Sequence, residues 1–303
     1  MPDVLVIGSL NADLVVRAPH FPRPGETIHG EDLQVIPGGK GANQAVAAAR
    51  HGASVAMLGC VGNDGFGALL LGSLKSDNVD TSHVHVEDSA TGTAVIVIDS
   101  NGQNSIVLAA GANRQLTAQH VDEFPSETRI LLLQLEIPLE TVIHAARWGK
   151  QRGFAVILNP APARELPDEL IANADYIVPN ETELNLVTGV PVTDAASAEQ
   201  AAKVLLNRGA RNVIVTLGSN GVLVASRQQV TRINSFKVPV VDTTAAGDAF
   251  IGGFAFALLR GVDAIEAAHY GNACGALATM RFGAQPSLPT RDEVEEFISR
   301  SGT

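Results

Sequence analysis

The sequence predicts an α/β fold: a mainly parallel sheet with helices on both faces, plus a small β-sheet lid. Three observations predict it. Continuous apolar runs of strand length recur at Val4–Ser9, Ser54–Val61, Arg129–Leu135, Phe154–Asn159, Asp175–Val178 and Asn212–Leu217, the pattern of strands buried on both faces. Helix-like segments lie between most of them, as parallel connections require. Two stretches, about 14–37 and 94–109, break the alternation with prolines, glycine or an Asn-Gly pair and read as strands leaving the main sheet.

Taken in order, Val4–Ser9 ends at Gly8-Ser-Leu-Asn11-Ala-Asp13, where polar groups emerge at a strand end, the place where ligands gather in such sheets. Pro19, Pro22, Pro24 and Gly25 make the following stretch too irregular for a helix, and Leu33–Ile36 alternates like a strand. Gly38-Gly-Lys-Gly-Ala-Asn43 opens an alanine-rich helix over Gln44–His51. The turn Gly62-Asn-Asp-Gly65 leads from Ser54–Val61 into a helix over Gly65–Lys75. Ala94–Asp99 and Asn104–Ala109 flank Ser100-Asn-Gly-Gln103, a hairpin signal.

Strands and helices then succeed one another, with helices over Leu139–Arg152, Glu181–Thr188 and Ala198–Arg208. Gly218-Ser-Asn-Gly221 followed by Val222–Ala225 reads as a further hairpin. The β-branched run Phe236–Val241 reads as a strand feeding an apolar helix over Ala249–Leu259, and helices over Ala264–Met280 and Thr290–Arg300 close the chain. With no internal repeat and no obvious linker, residues 1–303 read as one domain.

Composition excludes several classes of function. The 303 residues are 46% hydrophobic, enough for a large core. A net charge of −11 with only 21 Lys and Arg and no basic run argues against nucleic acid as a partner. A phosphate-bearing ligand must therefore be held by local backbone amides, a few basic side chains and a metal ion. Cys60 and Cys274, each among apolar or small neighbours, read as buried thiols. No apolar run approaches a membrane span and no basic leader precedes Val4, so the expectation is a cytoplasmic protein without membrane partners.

Asp242-Thr-Thr-Ala-Ala-Gly-Asp248 carries the strongest chemical signal. Small residues at Ala245, Ala246 and Gly247 let another molecule approach the backbone, and unpaired amides at a helix start attract anions. A carboxylate beside an anion site, at Asp248, makes sense where it must take a proton from a group attacking that anion. The bland reading is a helix start capped by Thr243 or Thr244, with Asp248 complementing the dipole.

The other motifs are individually weaker. The 38–43 loop fails the Walker A template, having Gln34 where a glycine is needed and no Ser or Thr after Lys40. Its glycines still allow close approach to a ligand, with Lys40 and Asn43 at a helix start. Gly62–Gly67 fails the dinucleotide fingerprint at Leu70. Asn180 and Glu183 suit water-mediated organisation of magnesium, or simply a helix cap. Thr216-Leu-Gly-Ser-Asn-Gly221 either wraps a nucleotide or is only a hairpin turn. His83 and His85 share a strand face without a nearby third ligand, so a zinc site is not expected, and neither HExxH nor GxSxG occurs.

Together these pieces resemble the ribokinase branch of the PfkB carbohydrate kinase family. The likeness runs through Asn11-Ala-Asp13, Pro24-Gly-Glu-Thr27, Gly38–Val46, Gln134-Leu-Glu136, Asn159–Arg164, Pro179–Glu183, Thr216–Ser219, Asp242–Asp248 and Gly283–Ser287, nearly the whole chain. The resemblance implies a ribokinase-like core, a β lid that closes over the sugar and often forms a homodimer interface, and phosphorylation of D-ribose at O5 by ATP with Mg2+. It implies Asp248 as the base and Ala245–Gly247 as the anion hole. Asn11, Asp13, Gly39, Lys40, Asn43 and Glu136 would hold the sugar. Asn180 and Glu183 would order magnesium and phosphates, while Thr216, Gly218, Ser219, Gly221 and Asn272 would line the nucleotide site. A K+ site is implied at Asp242, Thr244, Ala278, Arg281, Gly283 and Ser287, mostly through carbonyls.

One departure is Ala249, where close relatives in the family often have threonine. The alternative expectation is a related kinase acting on deoxyribose, a nucleoside or another sugar. A sugar-sensing protein without catalysis would keep the sugar shell but lose the base or the anion hole, and Ala245–Asp248 is intact.

Overall fold

The computed structural model describes residues 1–125 and 127–302. Thirteen strands and ten α-helices follow in the order β1 (Val4–Ile7), β2 (Asn11–Arg17), β3 (Gln34–Gly38), α1 (Lys40–Arg50), β4 (Val55–Gly62), α2 (Gly65–Ser76), β5 (Asp80–Glu87), β6 (Gly92–Ile98), β7 (Asn104–Ala109), α3 (Ala118–Asp122) and β8 (Ile130–Leu133). The second half runs α4 (Leu139–Gln151), β9 (Ala155–Leu158), α5 (Asp168–Asn173), β10 (Tyr176–Ile177), α6 (Glu181–Thr188), α7 (Ala195–Asn207), β11 (Asn212–Thr216), β12 (Val222–Ser226), β13 (Val230–Ile233), α8 (Ala246–Leu259), α9 (Ala264–Ala278) and α10 (Arg291–Arg300).

Nine strands form the main sheet in the order β13-β12-β11-β10-β9-β8-β1-β4-β5. All neighbours pair parallel except β11 with β12 and β12 with β13. The apolar runs explain the burial on both faces. Along β1, Leu5 and Ile7 join one core layer with α4 to α7, while Val4 and Val6 join the other with α1, α2 and α8 to α10. That alternation is the two-residue period of a strand. Chain order runs outward from β1 in both directions, so the sheet has a switch point between β1 and β8, where ligands bind at the carboxyl ends of strands.

The excursions form a second sheet, β3-β2-β6-β7, with β2 and β6 parallel and the outer pairs antiparallel. It starts at Asn11, three residues before the expected excursion. Asn11, Asp13 and Val15 therefore share one face of β2 by strand alternation. Val15, Ile36, Ala94 and Ile96 of this sheet pack on Ala284, with Phe282 and Ala245 at the margin. Its outward side is open: every residue of β7 is exposed, with Ile106 at 54% and Val107 at 67%.

One expected element is absent. Phe236–Val241 is not a strand but an irregular segment, and β13 ends before it. Its valines are exposed or partly exposed instead of buried in a sheet, with Val240 at 63% and Val241 at 64%. The amides of Val241 and Asp242 donate instead to the Thr279 carbonyl at the end of α9. β5 and β13, with polar alternation or short length, and the short helices α3 and α5 add to the elements the sequence marks. Among the described residues no helix is long and apolar enough to cross a membrane.

Candidate active site

The site forms where the carboxyl ends of β1, β8 and β9 meet the starts of α1 and α8. Gly39 takes φ 89°, a left-handed conformation that favours glycine, and a Cβ there would come within 2.6 Å of the Asn11 amide. A Cβ at Gly38 would lie 2.3 Å from Asp13 Oδ2. The two glycines thus let the start of α1 close on β2 and leave room for the Asp13 carboxylate. Asn11 donates from Nδ2 to Glu136 Oε2 at 3.2 Å, and the same oxygen accepts from Ser9 Oγ and from the Lys40 amide.

Asn113 was not singled out in the sequence, yet it fastens this junction. Its Nδ2 donates to Asn11 Oδ1 at 2.8 Å and to the Leu10 carbonyl, and its Oδ1 accepts from the Leu10 amide. Nothing in its local Gly-Ala-Asn-Arg context marks that role, since the partners lie about 100 residues away in the chain. Gln44 is the other residue missed. Asp248, buried at the start of α8, accepts from Asn43 Nδ2 and from Gln44 Nε2, both at 2.9 Å.

The α8 start has no side-chain cap. Ala245 is its N-cap with φ 58°, left-handed although not glycine, which displaces the expected threonine cap. The Ala246 amide makes a long bond of 3.3 Å to the Thr243 carbonyl. Among the described residues no acceptor takes the amides of Ala245, Gly247 or Asp248. The sequence named 245–247 as an anion hole; the available donors extend to Asp248 and are weakest at Ala246. Apart from its chain neighbours and the backbone of its own helix turn, no described atom lies within 4 Å of a Cβ placed on Gly247, so the approach is open.

Beside this turn lies a cleft of about 680 Å3. Of the expected nucleotide residues, Asn180, Thr216, Gly218, Ser219, Gly221, Gly247 and Asn272 line it, and Glu183 does not. Asn180 and Thr216 are brought together by an isolated parallel bridge extending β10 and β11. Gly221 has φ 86°, and a Cβ there would sit 2.0 Å from the Ile233 carbonyl, so the hairpin can turn only with glycine. Asn272 donates to the Asn234 carbonyl at 2.9 Å. Asn180 and Glu183 form a reciprocal helix cap: Asn180 Oδ1 accepts from the Glu183 amide, and Glu183 accepts from the Asn180 amide.

The expected cation residues are brought into one neighbourhood by Asp242. Its Oδ1 accepts from the Thr244 amide and Oγ1, and its Oδ2 accepts from the Gly283 amide at 2.9 Å. One carboxylate thus joins the turn that opens α8 to the 281–287 loop. The Ala278 carbonyl accepts from the Arg281 amide, Ser287 is buried and donates to the Ala284 carbonyl, and the Arg281 guanidinium turns away to Glu293.

Carboxylates dominate the local field. Burial, then Glu136 and Asp248, push the Asp13 carboxyl up to about 7, with Lys40 opposing. Burial raises Asp248 against Lys40 and the two amide donors, and raises Glu183 against its cap bond and Lys40. Burial pulls the Lys40 ammonium down, but Asp248, Glu136, Glu183 and Asp13 outweigh it and the net direction is up. Lys40 therefore stays cationic at the centre of four carboxylates.

Comparison with known proteins places this geometry. The family model described as pfkB family carbohydrate kinase matches residues 1–291. A ribokinase of Haemophilus influenzae is 46% identical over 98% of each chain, and a deoxyribokinase of Salmonella typhi is 39% identical over 98% of this chain and 99% of its own. The solved structure of Arabidopsis thaliana ribokinase complexed with ribose and ATP superposes with a TM-score of 0.90 at 34% identity, covering 98% of each chain.

Asp13 makes stability depend on pH in a defined sense. Its folded pKa lies above the ordinary value of 3.8, so the native state keeps a proton that the unfolded chain releases. Its unfavourable contribution is absent below about 4, grows as pH rises from about 4 to about 7, and is constant above that. Urea denaturation from pH 5 to 8 should therefore give a smaller loss of stability in Asp13→Asn than in the parent, with the variant the more stable at pH 8. Parallel pH profiles for the two proteins would refute this account of Asp13.

Proposed function

Because the chain belongs to the pfkB family of carbohydrate kinases, we infer its activity from family, fold and site together: ATP-dependent phosphorylation of D-ribose. The single observation carrying the chemistry is the buried Asp248 carboxylate set between the polar cage at β1–β2 and the free amides opening α8. In our reading Asn11, Asp13, Lys40, Asn43, Glu136 and the Gly39 backbone hold the sugar hydroxyls. Asp248 accepts the O5 proton as that oxygen attacks the γ-phosphoryl, and the amides from Ala245 to Asp248 receive the developing negative charge.

ATP with a divalent metal is the phosphoryl donor of this family. We assign the nucleotide to the cleft at Thr216, Gly218, Ser219, Gly221 and Asn272. The donor set fits Mg2+ bound through its water shell: Glu183 lies in the field of Lys40 and Asp248, and its helix-cap bonds fix its orientation. When bound, the metal neutralises phosphate charge; the chain positions the phosphates. Closure of the small sheet, read as a lid, would exclude water from the acceptor position. An ATP-using sugar kinase with two buried free thiols also suits the cytoplasm.

The Salmonella deoxyribokinase supports a second reading, in which the acceptor lacks the 2-hydroxyl. A panel of ribose, deoxyribose and adenosine with ATP and magnesium, following ADP release, decides between them. Ribose should give the largest kcat/KM, because a cage built for each hydroxyl leaves polar groups unpaired with deoxyribose. In the same assay Asp248→Asn should retain ribose binding and lose several orders of magnitude in kcat. A better alternative acceptor would overturn the ribose assignment, and a drop of only about tenfold would overturn the base.

We also propose K+ activation. Asp242, Thr244, Ser287 and the carbonyls of Ala278, Arg281 and Gly283 offer the oxygen-rich set a large, weakly hydrated ion needs, and Asp242 already ties that loop to the catalytic turn. At constant ionic strength, activity should rise when a bulky organic cation is replaced by potassium. Asp242→Ala should remove that response more than it weakens ribose binding; equal rates in both salts would exclude the site.

Finally, the exposed edge strand β7 and its apolar side chains support a homodimer formed through the lid, since an open edge invites pairing. Sedimentation at micromolar concentration should give a dimer. A monomer alone would rule that assembly out.

A further inference from the structure

Asn43 and Gln44, consecutive on α1, each donate to one oxygen of Asp248, but they sit in different surroundings. Asn43 is next to the open site and its Oδ1 is buried without a partner. Gln44 is fully buried and belongs to a chain of amides across the strand ends. Its Nε2 donates to Asp248 Oδ1 at 2.9 Å and, more weakly, to Asn159 Oδ1 at 3.3 Å. Its Oε1 accepts from Gln134 Nε2 at 2.6 Å, and Asn159 Nδ2 donates on to the Val178 carbonyl at 3.0 Å.

This chain fixes which way the Gln44 amide points. A flipped Gln44 would set its oxygen against the Asp248 carboxylate and its NH2 against the Gln134 NH2, losing both strong bonds. Gln134 is fully buried, and its Oε1, packed against Gly8, has no hydrogen-bond partner among the described residues, so its bond to Gln44 is the one that orients it. The donor toward Asp248 is thus favoured from both sides, by the carboxylate and by residues at the ends of β8, β9 and β10 that make no hydrogen bond to it.

We propose that Gln44 is a positioning residue for the base, holding Asp248 ionised and pinning its Oδ1 so that Oδ2 is the oxygen presented to the attacking hydroxyl. The inference rests on the assignment of Asp248 as base. Burial works against ionisation of Asp248, as do the carboxylates facing it, Asp13 from β2 and Glu183 from α6; Lys40 and the two amide donors of α1 favour it. Glu136 faces Asp13 and Lys40 in the same cage. Removing one donor from so buried a group shifts its titration without displacing the catalytic machinery. A merely structural role for Gln44 would lower activity equally at every pH.

The test is the pH profile of kcat with ribose and ATP for the parent, Gln44→Leu and Gln134→Met. In Gln44→Leu the acid-side inflection should move up by about one pH unit or more, so that kcat at the foot of the acid limb falls about tenfold beyond any change on the plateau. Gln134→Met leaves every contact to Asp248 in place and frees the Gln44 amide to flip; it should shift the inflection in the same direction by less, and it keeps the test open if the leucine variant does not fold. Asp248→Asn, run alongside, separates the two claims. If that variant stays within about tenfold of the parent, the base assignment fails. If it is inactive while neither glutamine variant moves the inflection, the role of Gln44 is overturned on its own.

Discussion

The site depends on how closely α8 lies against its two neighbouring helices. Gly252, one turn beyond Asp248, packs on α1 so tightly that a Cβ would come within 2.3 Å of the Ala47 Cβ and 2.8 Å of the Ala48 amide. On the other side a Cβ at Gly253 would meet Cys274 Sγ at 2.3 Å, and Gly271 of α9 faces the Phe250 carbonyl. Glycine and alanine at these points let backbones approach as larger side chains would not. Only this separation allows short amide side chains on α1 to reach the carboxylate on α8 at 2.9 Å. Filling such a contact forces the helices apart, and interiors resist that displacement.

From that crossing the rest of the geometry follows. The start of α1 also carries Lys40, and Gly38 and Gly39 turn it onto β2 with its Asn11 and Asp13. The start of α8 carries Ala245 in a left-handed conformation that costs energy for any residue with a Cβ. Ala245 contacts the inner face of the small sheet, and the turn before it is tied by Asp242 to the loop bearing Phe282 and Ala284. The polar cage at β1–β2, the turn opening α8 and the small sheet are therefore mechanically one assembly around two helix N-termini, both of which present positive potential to the same small volume.

Much of this was legible in the sequence because parallel strands buried on both faces announce themselves as apolar runs, as β1, β4, β8, β9 and β11 do. β5 was obscured by its exposed polar alternation at the sheet edge, and Phe236–Val241 misled because β-branched residues were taken for a strand where the chain instead lines the cleft beside α8. Small residues marked the two turns open to a ligand, at 38–43 and 245–247. The amide network was not legible: Gln44 sits in an alanine-rich helix where glutamine is simply a good helix former, and its partners lie 90 to 204 residues away. Asn113 escaped notice for the same reason. Local pattern reveals backbone conformation, whereas hydrogen bonds between distant strand ends become visible only once the sheet order is known.

The four carboxylates around Lys40 have a consequence for turnover. Asp13, Glu136, Glu183 and Asp248 face a single ammonium, so hydrogen-bond acceptors outnumber cations in the cage. On the assignment proposed above, a neutral sugar would satisfy such a cage by donating its hydroxyl protons. Its phosphate ester would bring a dianion to the same acceptors and be repelled by them. On that assignment the cage would act as an electrostatic ratchet, retaining the uncharged acceptor and favouring departure of the phosphorylated sugar over its return.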